Sequence, residues 1–176
     1  MALAPGYLLT WHTYGTWLHG DDAGSVDQLH NLFGSPKLEG DPSRFRDARL
    51  CMKDPPLVLA PMARVLVDKI MREHCRIRHW TLLALRVRSN HAHVVIVKPE
   101  IGPELIVKQL KDWGTRTLRA HRIVGVEQCV WADHGSMIFL FQPGSVDRAV
   151  EYVLKMQDDP PPGHGRDGWL EKLGSC

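Results

Sequence analysis

The chain has 176 residues, of which 44% are hydrophobic and 24% are charged. This length is enough for one complete hydrophobic core, so a single domain is expected. No segment approaches the roughly 20 consecutive apolar residues that a membrane helix needs, and the first residues lack the charged and apolar regions of a signal peptide. We therefore expect a soluble cytoplasmic protein and no membrane partner.

The basic side chains are concentrated in the middle of the sequence. Over the whole chain the net charge is only +2, but residues 58–125 contain thirteen basic and five acidic side chains. The segments 1–57 and 126–176 are acidic, with net charges of −2 and −4. A local surplus of eight positive charges favours a polyanionic partner such as nucleic acid, with a solvated helix surface as the alternative.

The hydrophobic pattern predicts strands and helices in a mixed order. Strands are predicted at 6–14, 80–87, 91–97 and 131–141, and helices at 60–79, 103–121 and 146–157. Between the first strand and the first helix, residues 15–57 are rich in Gly, Pro and Asp and predict a long loop. The order is therefore β, loop, α, β, β, α, β, α.

This order predicts an α+β fold. Without the last helix it is the split βαβ pattern of a ferredoxin-like domain, which has an antiparallel sheet with helices on one face. A C-terminal helix follows that unit. We predict one domain over residues 1–160, with the loop insertion at 15–57. A flexible tail is expected over 161–176, because a Pro- and Gly-rich segment ends the last helix.

The most informative motif is His91-Ala92-His93, which opens the predicted strand 91–97. Side chains alternate across a strand, so both imidazoles are expected on one face at its leading end. Two buried imidazoles need hydrogen bonds or a metal ion to offset lost hydration. The pair is therefore either a metal-binding site or two ordinary histidines at a strand edge.

The predicted helix 103–121 has an apolar side and a basic side. Projection at about 100° per residue puts six residues on the side expected to face the sheet. They are Ile106, Val107, Leu110, Trp113, Thr117 and Leu118. Lys108, Lys111, Arg119 and Arg122 gather on the other side. This row would suit phosphate groups, or would simply be solvated.

The last predicted helix carries Tyr152, which completes a recognisable set of motifs. The set comprises Ser89-Asn90-His91-Ala92-His93 with its hydrophobic strand, Gln109-Leu110-Lys111-Asp112-Trp113, Val130-Trp131 and Glu151-Tyr152-Val153-Leu154. In this order the chain resembles the single-tyrosine HUH transposases of small insertion sequences and their REP-associated tyrosine transposase relatives. The motifs extend over most of residues 6–157.

The resemblance implies a metal-dependent endonuclease and strand transferase that acts on single-stranded or hairpin DNA in the bacterial nucleoid. His91, His93 and a third side-chain oxygen would hold Mg²⁺ or Mn²⁺, which polarises the scissile phosphate. Tyr152 would attack that phosphate and form a 5′-phosphotyrosine. Family members work as homodimers or as monomers. The expected DNA contacts are Lys108, Lys111, Arg119, Arg122 and Trp131.

The third metal ligand departs from the family pattern. Family members have Gln or Asn four residues after the tyrosine, whereas this chain has Met156, whose soft thioether does not suit Mg²⁺. Gln157 is the first candidate instead, although it lies about 140° around a regular helix from Tyr152. His134 and His12 are the other candidates.

Three alternatives to this interpretation stay open. The departure at Met156 favours a domesticated module of the same fold that binds DNA or RNA without cleaving it. A metal-dependent phosphoesterase would use water as its nucleophile and would not need Tyr152. If a tyrosine is the nucleophile, Tyr14 on the first predicted strand is the rival of Tyr152.

Overall fold

A computed structural model describes residues 6–18, 41–142 and 144–155, without the side chain of His134. The strands are β1 (Gly6–Thr13), β2 (Thr81–Val87), β3 (His91–Val97) and β4 (Trp131–Phe139). The helices are α1 (Pro42–Leu50), α2 (Pro61–Ile77), α3 (Pro103–Ala120) and α4 (Ser145–Lys155). The predicted order of elements is confirmed, with α1 as an addition. None of the described helices is long and apolar enough to cross a membrane.

Helix α1 lies inside the segment that was predicted to be a loop. The Asp41 side chain caps it by accepting hydrogen bonds from the backbone N–H groups of Ser43 and Arg44, and Pro42 occupies its first turn. These residues are a helix-start signal that the loop-like composition around them conceals. The prediction of a continuous loop over 15–57 was therefore wrong at 42–50. No residue of α1 is buried, so this helix adds nothing to the core.

The four strands form one antiparallel sheet in the order β2-β3-β1-β4. The central pair sets the register of the candidate site, because Thr10 of β1 lies opposite His93 and His12 lies opposite His91. The pairing of β1 with β4 shifts register between Trp11 and Thr13. This irregularity occurs at the end of the sheet that carries the histidines.

The two faces of the sheet carry cores of different size. Helices α2 and α3 cover one face, where the larger core includes Leu9 and Trp11 of β1 and Val94 and Ile96 of β3. Helix α4 covers part of the opposite face. The smaller core there contains Leu8, Ala84, Val95, Leu140, Ala149 and Val153. Helices therefore pack on both faces of the sheet, although α4 covers only part of its face.

The apolar side of α3 differs from the projection at one position. Ile106, Leu110 and Leu118 are buried as predicted, but the side chain of Trp113 is 37% exposed. The next residue, Gly114, is buried against the core instead. A Cβ at Gly114 would lie only 3.0 Å from Cζ2 of Trp131, so the core has no room for a large side chain along this line of the helix.

Candidate active site

The two histidines of the motif lie on the sheet face that α4 covers. Ala92 and Val94 of β3 point into the larger core, whereas Val95 points into the smaller core beside α4. Strand alternation therefore puts His91 and His93 on the α4 face. Their side chains are 1% and 4% exposed, and their ring centroids lie 4.6 Å apart in an edge-to-face arrangement.

A hydrogen bond at Nδ1 orients each imidazole. Nδ1 of His91 lies 2.7 Å from Oδ1 of Asn90, and Nδ1 of His93 lies 2.7 Å from Oγ1 of Thr10. The Asn90 oxygen can only accept, so Nδ1 of His91 donates and the ring's lone pair lies on Nε2. The Thr10 hydroxyl can accept in the same way from His93. Metal-binding histidines typically have one ring nitrogen held by such a polar partner and use the other as the ligand.

Helix α4 brings Tyr152 to the histidine pair. Ala149 and Val153 of this helix pack into the smaller core. Tyr152 is half-buried at the same interface, and its ring centroid lies 5.5 Å from that of His93. The histidines and the tyrosine therefore meet on one face of the sheet within a single chain, although they are far apart in the sequence.

The other candidate nucleophile, Tyr14, has a structural contact elsewhere. Its hydroxyl accepts a hydrogen bond of 2.8 Å from the backbone N–H of Lys53, which joins the end of β1 to the segment after α1. The third tyrosine of the chain, Tyr7, is buried in the larger core. Tyr152 is the tyrosine of the chain whose ring contacts His93.

Of the candidates for a third metal ligand, His12 is the one whose side chain is described. Its ring centroid lies 5.6 Å from that of His91 and 4.3 Å from that of Trp17. Met156 and Gln157 lie outside the described residues, as does the His134 side chain, whose backbone belongs to β4. Within the described ranges, no three or more His, Cys, Asp or Glu side chains are placed to hold a metal ion. The two imidazoles, each oriented through Nδ1, are the side chains of this site whose chemistry suits a divalent cation.

The predicted row of basic residues on α3 does not lie beside Tyr152. Helix α3 covers the opposite face of the sheet from α4, so the sheet separates the two. Lys108 is exposed and pairs with Asp112 at 2.7 Å. Arg119 and Arg122 are also exposed, and Arg122 has a positive φ of 56° just after α3.

Lys111 and Trp131 join α3 to the start of β4. The Lys111 ammonium donates to the backbone oxygens of Ala132 and Asp133 at 2.7 and 3.3 Å. Burial lowers the pKa of this lysine. Nε1 of Trp131 donates to the Lys111 backbone oxygen at 3.0 Å, and its ring packs edge-on against Trp11. Both side chains therefore have structural contacts at the positions where DNA contacts were expected.

Sequence analysis missed two polar residues that support the site. The contact of Thr10 with His93 was not predicted, because it depends on Thr10 lying opposite His93 in the sheet. Asn90 belongs to the motif, but no role was predicted for its side chain, which orients His91. Strand alternation on β1 is the signal that places Thr10 on the α4 face.

Comparison of the chain with known protein families gives no match, and comparison with curated proteins gives none either. Support for a function therefore comes from the geometry of His91, His93 and Tyr152 and from the motifs that contain them.

Proposed function

We propose that this protein is a single-tyrosine HUH endonuclease and strand transferase, a transposase that acts on single-stranded or hairpin DNA. The observation that carries the proposal is the 5.5 Å separation between the ring centroids of His93 and Tyr152 on one face of the sheet. The strand order β2-β3-β1-β4, with helices after β1 and β3, supports assigning the fold as ferredoxin-like.

His91 and His93 would hold Mg²⁺ or Mn²⁺ through Nε2, with Gln157 as the first candidate for the third ligand. Such an ion polarises a phosphate and neutralises charge that develops on its oxygens. The protein's own contribution is to fix both rings through Thr10 and Asn90. Burial of the two rings also keeps their orientation constant.

Tyr152 is the nucleophile in this proposal. Its phenol loses its proton, and the oxygen attacks the scissile phosphorus. A bond forms between the tyrosine oxygen and phosphorus while the bond from phosphorus to the 3′ oxygen breaks. The departing oxygen gains a proton, which leaves a free 3′-hydroxyl and a 5′-phosphotyrosine. Attack by another 3′-hydroxyl reverses the step and joins strands without an external energy source.

In this proposal, the histidines and the tyrosine of a site belong to the same chain, since His93 and Tyr152 are in contact there. A homodimer would therefore contain two such sites, each with its own Tyr152. Lys108, Arg119 and Arg122 would contact phosphates on the far side of the sheet, away from the cleavage point. Lys111 and Trp131 would act on DNA indirectly, by holding the start of β4. With DNA as the substrate, the protein would work in the cytoplasm at the nucleoid.

A non-cleaving DNA- or RNA-binding module of the same fold is the second candidate. Met156 favours it, because this residue occupies the position where the family has an oxygen ligand. The contact between the rings of His93 and Tyr152 argues against it. A module that only binds nucleic acid does not need a nucleophile beside two imidazoles.

The proposal is tested with hairpin-bearing single-stranded DNA labelled at its 3′ end, incubated with Mn²⁺ and run on a denaturing protein gel. A 5′-phosphotyrosine retains the 3′ part of the strand, so the adduct carries the label. We expect the adduct in the wild type and in the control Tyr14→Phe, and no adduct in Tyr152→Phe or His91→Ala. Cleavage that persists in Tyr152→Phe would indicate water as the nucleophile. Binding without cleavage in the wild type would establish the non-cleaving module.

A further inference from the structure

A row of alternating basic and aromatic side chains runs from the residues just after α2, past His74 of α2, to α3. We call it the Arg–Trp row, and its members in order are Arg78, Trp80, His74, Trp113 and Arg116. The His74 ring lies between the tryptophans, with centroid distances of 5.4 Å to Trp80 and 5.6 Å to Trp113. Cζ of Arg78 lies 5.9 Å from the Trp80 centroid, and Cζ of Arg116 lies 5.1 Å from the Trp113 centroid.

The centre of the row is held in place. His74 is 7% exposed, and its Nε2 makes a hydrogen bond of 2.9 Å with Oε1 of Gln109, which connects α2 to α3. Trp80 packs against the larger core, and its backbone N–H donates to Cys75 at 2.9 Å. The rings therefore keep their spacing in the free protein, so a ligand would not have to order them.

The ends of the row, Arg78 and Arg116, are exposed, and no ion pair within the described residues neutralises their charges. Trp113 is 37% exposed. Three other basic residues of α2 and α3 do make ion pairs. Their ion pairs are Arg72 with Asp68, Arg76 with Glu73, and Lys108 with Asp112.

We propose that the Arg–Trp row binds unpaired bases of a single-stranded nucleic acid. Aromatic rings and guanidinium planes stack on bases of any sequence, and unpaired arginines attract the phosphates between them. A base would stack at Trp113, where Arg116 moves aside to a phosphate or lies over the base. The row lies on the face of the sheet opposite Tyr152. It is therefore a second nucleic-acid contact, which goes beyond the proposed cleavage and does not require it.

An acidic peptide is the competing occupant. It would pair with Arg78 and Arg116 but would gain little from the Trp113 ring. The positive charges of the two arginines would attract either ligand. The exposed Trp113 ring favours the nucleic acid, because only that ligand offers planar bases for stacking as well as phosphates. A loss of affinity when the Trp113 ring is removed therefore indicates a nucleic acid, and an unchanged affinity indicates an acidic peptide.

The test uses the full chain with Tyr152→Phe, so that no covalent product forms. A labelled oligodeoxythymidine of about 12 nucleotides, within the usual site size of single-strand-binding proteins, is titrated by fluorescence anisotropy. We expect Trp113→Ala to weaken binding about 10-fold and Trp113→Phe to retain most of the affinity. The double variant Arg78→Ala/Arg116→Ala is expected to bind less tightly and with a smaller salt dependence. The matched control is Leu105→Ala, another exposed apolar residue of α3, which should bind as the parent does.

Equal affinity of the Trp113→Ala and Leu105→Ala variants would overturn the proposal. It would also be overturned if polyglutamate displaced the oligonucleotide at equal charge concentration, because the row would then be a peptide site. If Trp113→Ala does not fold, the salt dependence of binding by Arg78→Ala/Arg116→Ala still tests the proposal. Failure here is distinct from failure of the proposed function. Trp113→Ala with Tyr152 intact should still form the covalent adduct on a very short oligonucleotide, whereas a protein that is not a nuclease forms none in any variant.

Discussion

The two faces of the sheet use the same strands for different purposes. On β1, Leu9 points into the larger core under α2 and α3, while the next residue, Thr10, points to the α4 face and holds His93. On β3, Val94 belongs to the larger core and His93 to the candidate site. Because side chains alternate along the two central strands, completely buried apolar side chains on one face of the sheet are next in sequence to the polar side chains on the other face.

This difference has a physical consequence for the candidate site. An apolar face is stabilised by burial alone, but each buried polar group on the other face needs a partner. Asn90 and Thr10 are such partners for the histidines. We therefore expect substitutions on the α2/α3 face to change stability most, and substitutions on the α4 face to change metal binding and activity most.

The largest expected effect is that of His91→Ala on activity. If His91 is a metal ligand as proposed, its loss should remove several kcal/mol of transition-state stabilisation, so adduct formation should fall about 1000-fold. The measurement is the initial rate of adduct formation in Mn²⁺. Full activity of the variant would show that the histidine pair has no part in the reaction.

Leu9→Ala should have the largest effect on stability. Its side chain is completely buried, so truncation should lower the free energy of unfolding by about 2–5 kcal/mol. Urea denaturation measures the change. The control Leu83→Ala, at an exposed position of β2, should change the free energy of unfolding by less than about 0.5 kcal/mol. Similar losses in the two variants would contradict the assignment of the larger core.

Thr10→Val tests the support of the site without removing a ligand. The variant keeps the shape of the side chain but loses the hydrogen bond to His93. Loss of such a partner typically lowers metal affinity about 10- to 100-fold. Calorimetric titration with Mn²⁺ measures this, and Thr10→Ser should restore the affinity. If Thr10→Val bound Mn²⁺ as tightly as the wild type, orientation by Thr10 would not matter.

The smallest effect separates two lysines of α3. Lys111→Met removes donors from the Ala132 and Asp133 backbone oxygens and should cost about 1–3 kcal/mol of the free energy of unfolding. Lys108→Met removes one exposed ion pair and should cost at most about 0.5 kcal/mol. Thermal denaturation of the two variants side by side measures the difference. Equal stability of the Lys111→Met and Lys108→Met variants would indicate that the Lys111 ammonium does not stabilise the fold and is free to contact phosphates.

Sequence periodicity predicted most of the fold because the strands and the two long helices have strong patterns. The β-branched run after His93 and the spacing of Ile106, Leu110 and Leu118 are such patterns. The position of Trp113 was not predictable in this way. A helical projection treats all directions within the apolar side as equal, whereas the ring of Trp131 occupies the space next to Gly114.

The candidate site was predictable only in part. The histidines and Tyr152 stand out in the sequence because each belongs to a motif. Thr10 does not, since its contact with His93 depends on the register between β1 and β3. The separation of the basic row of α3 from Tyr152 depends on which face each helix covers, and hydrophobic pattern alone does not specify that face.

The most direct test of the central claim is to identify the residue that carries the DNA. The adduct formed in Mn²⁺ is digested with nuclease and protease, and the peptide that retains a nucleotide phosphate is sequenced by mass spectrometry. The phosphate is expected on Tyr152. Its presence on Tyr14, or cleavage of the DNA with no phosphate on any peptide, would contradict the assignment of Tyr152 as the nucleophile.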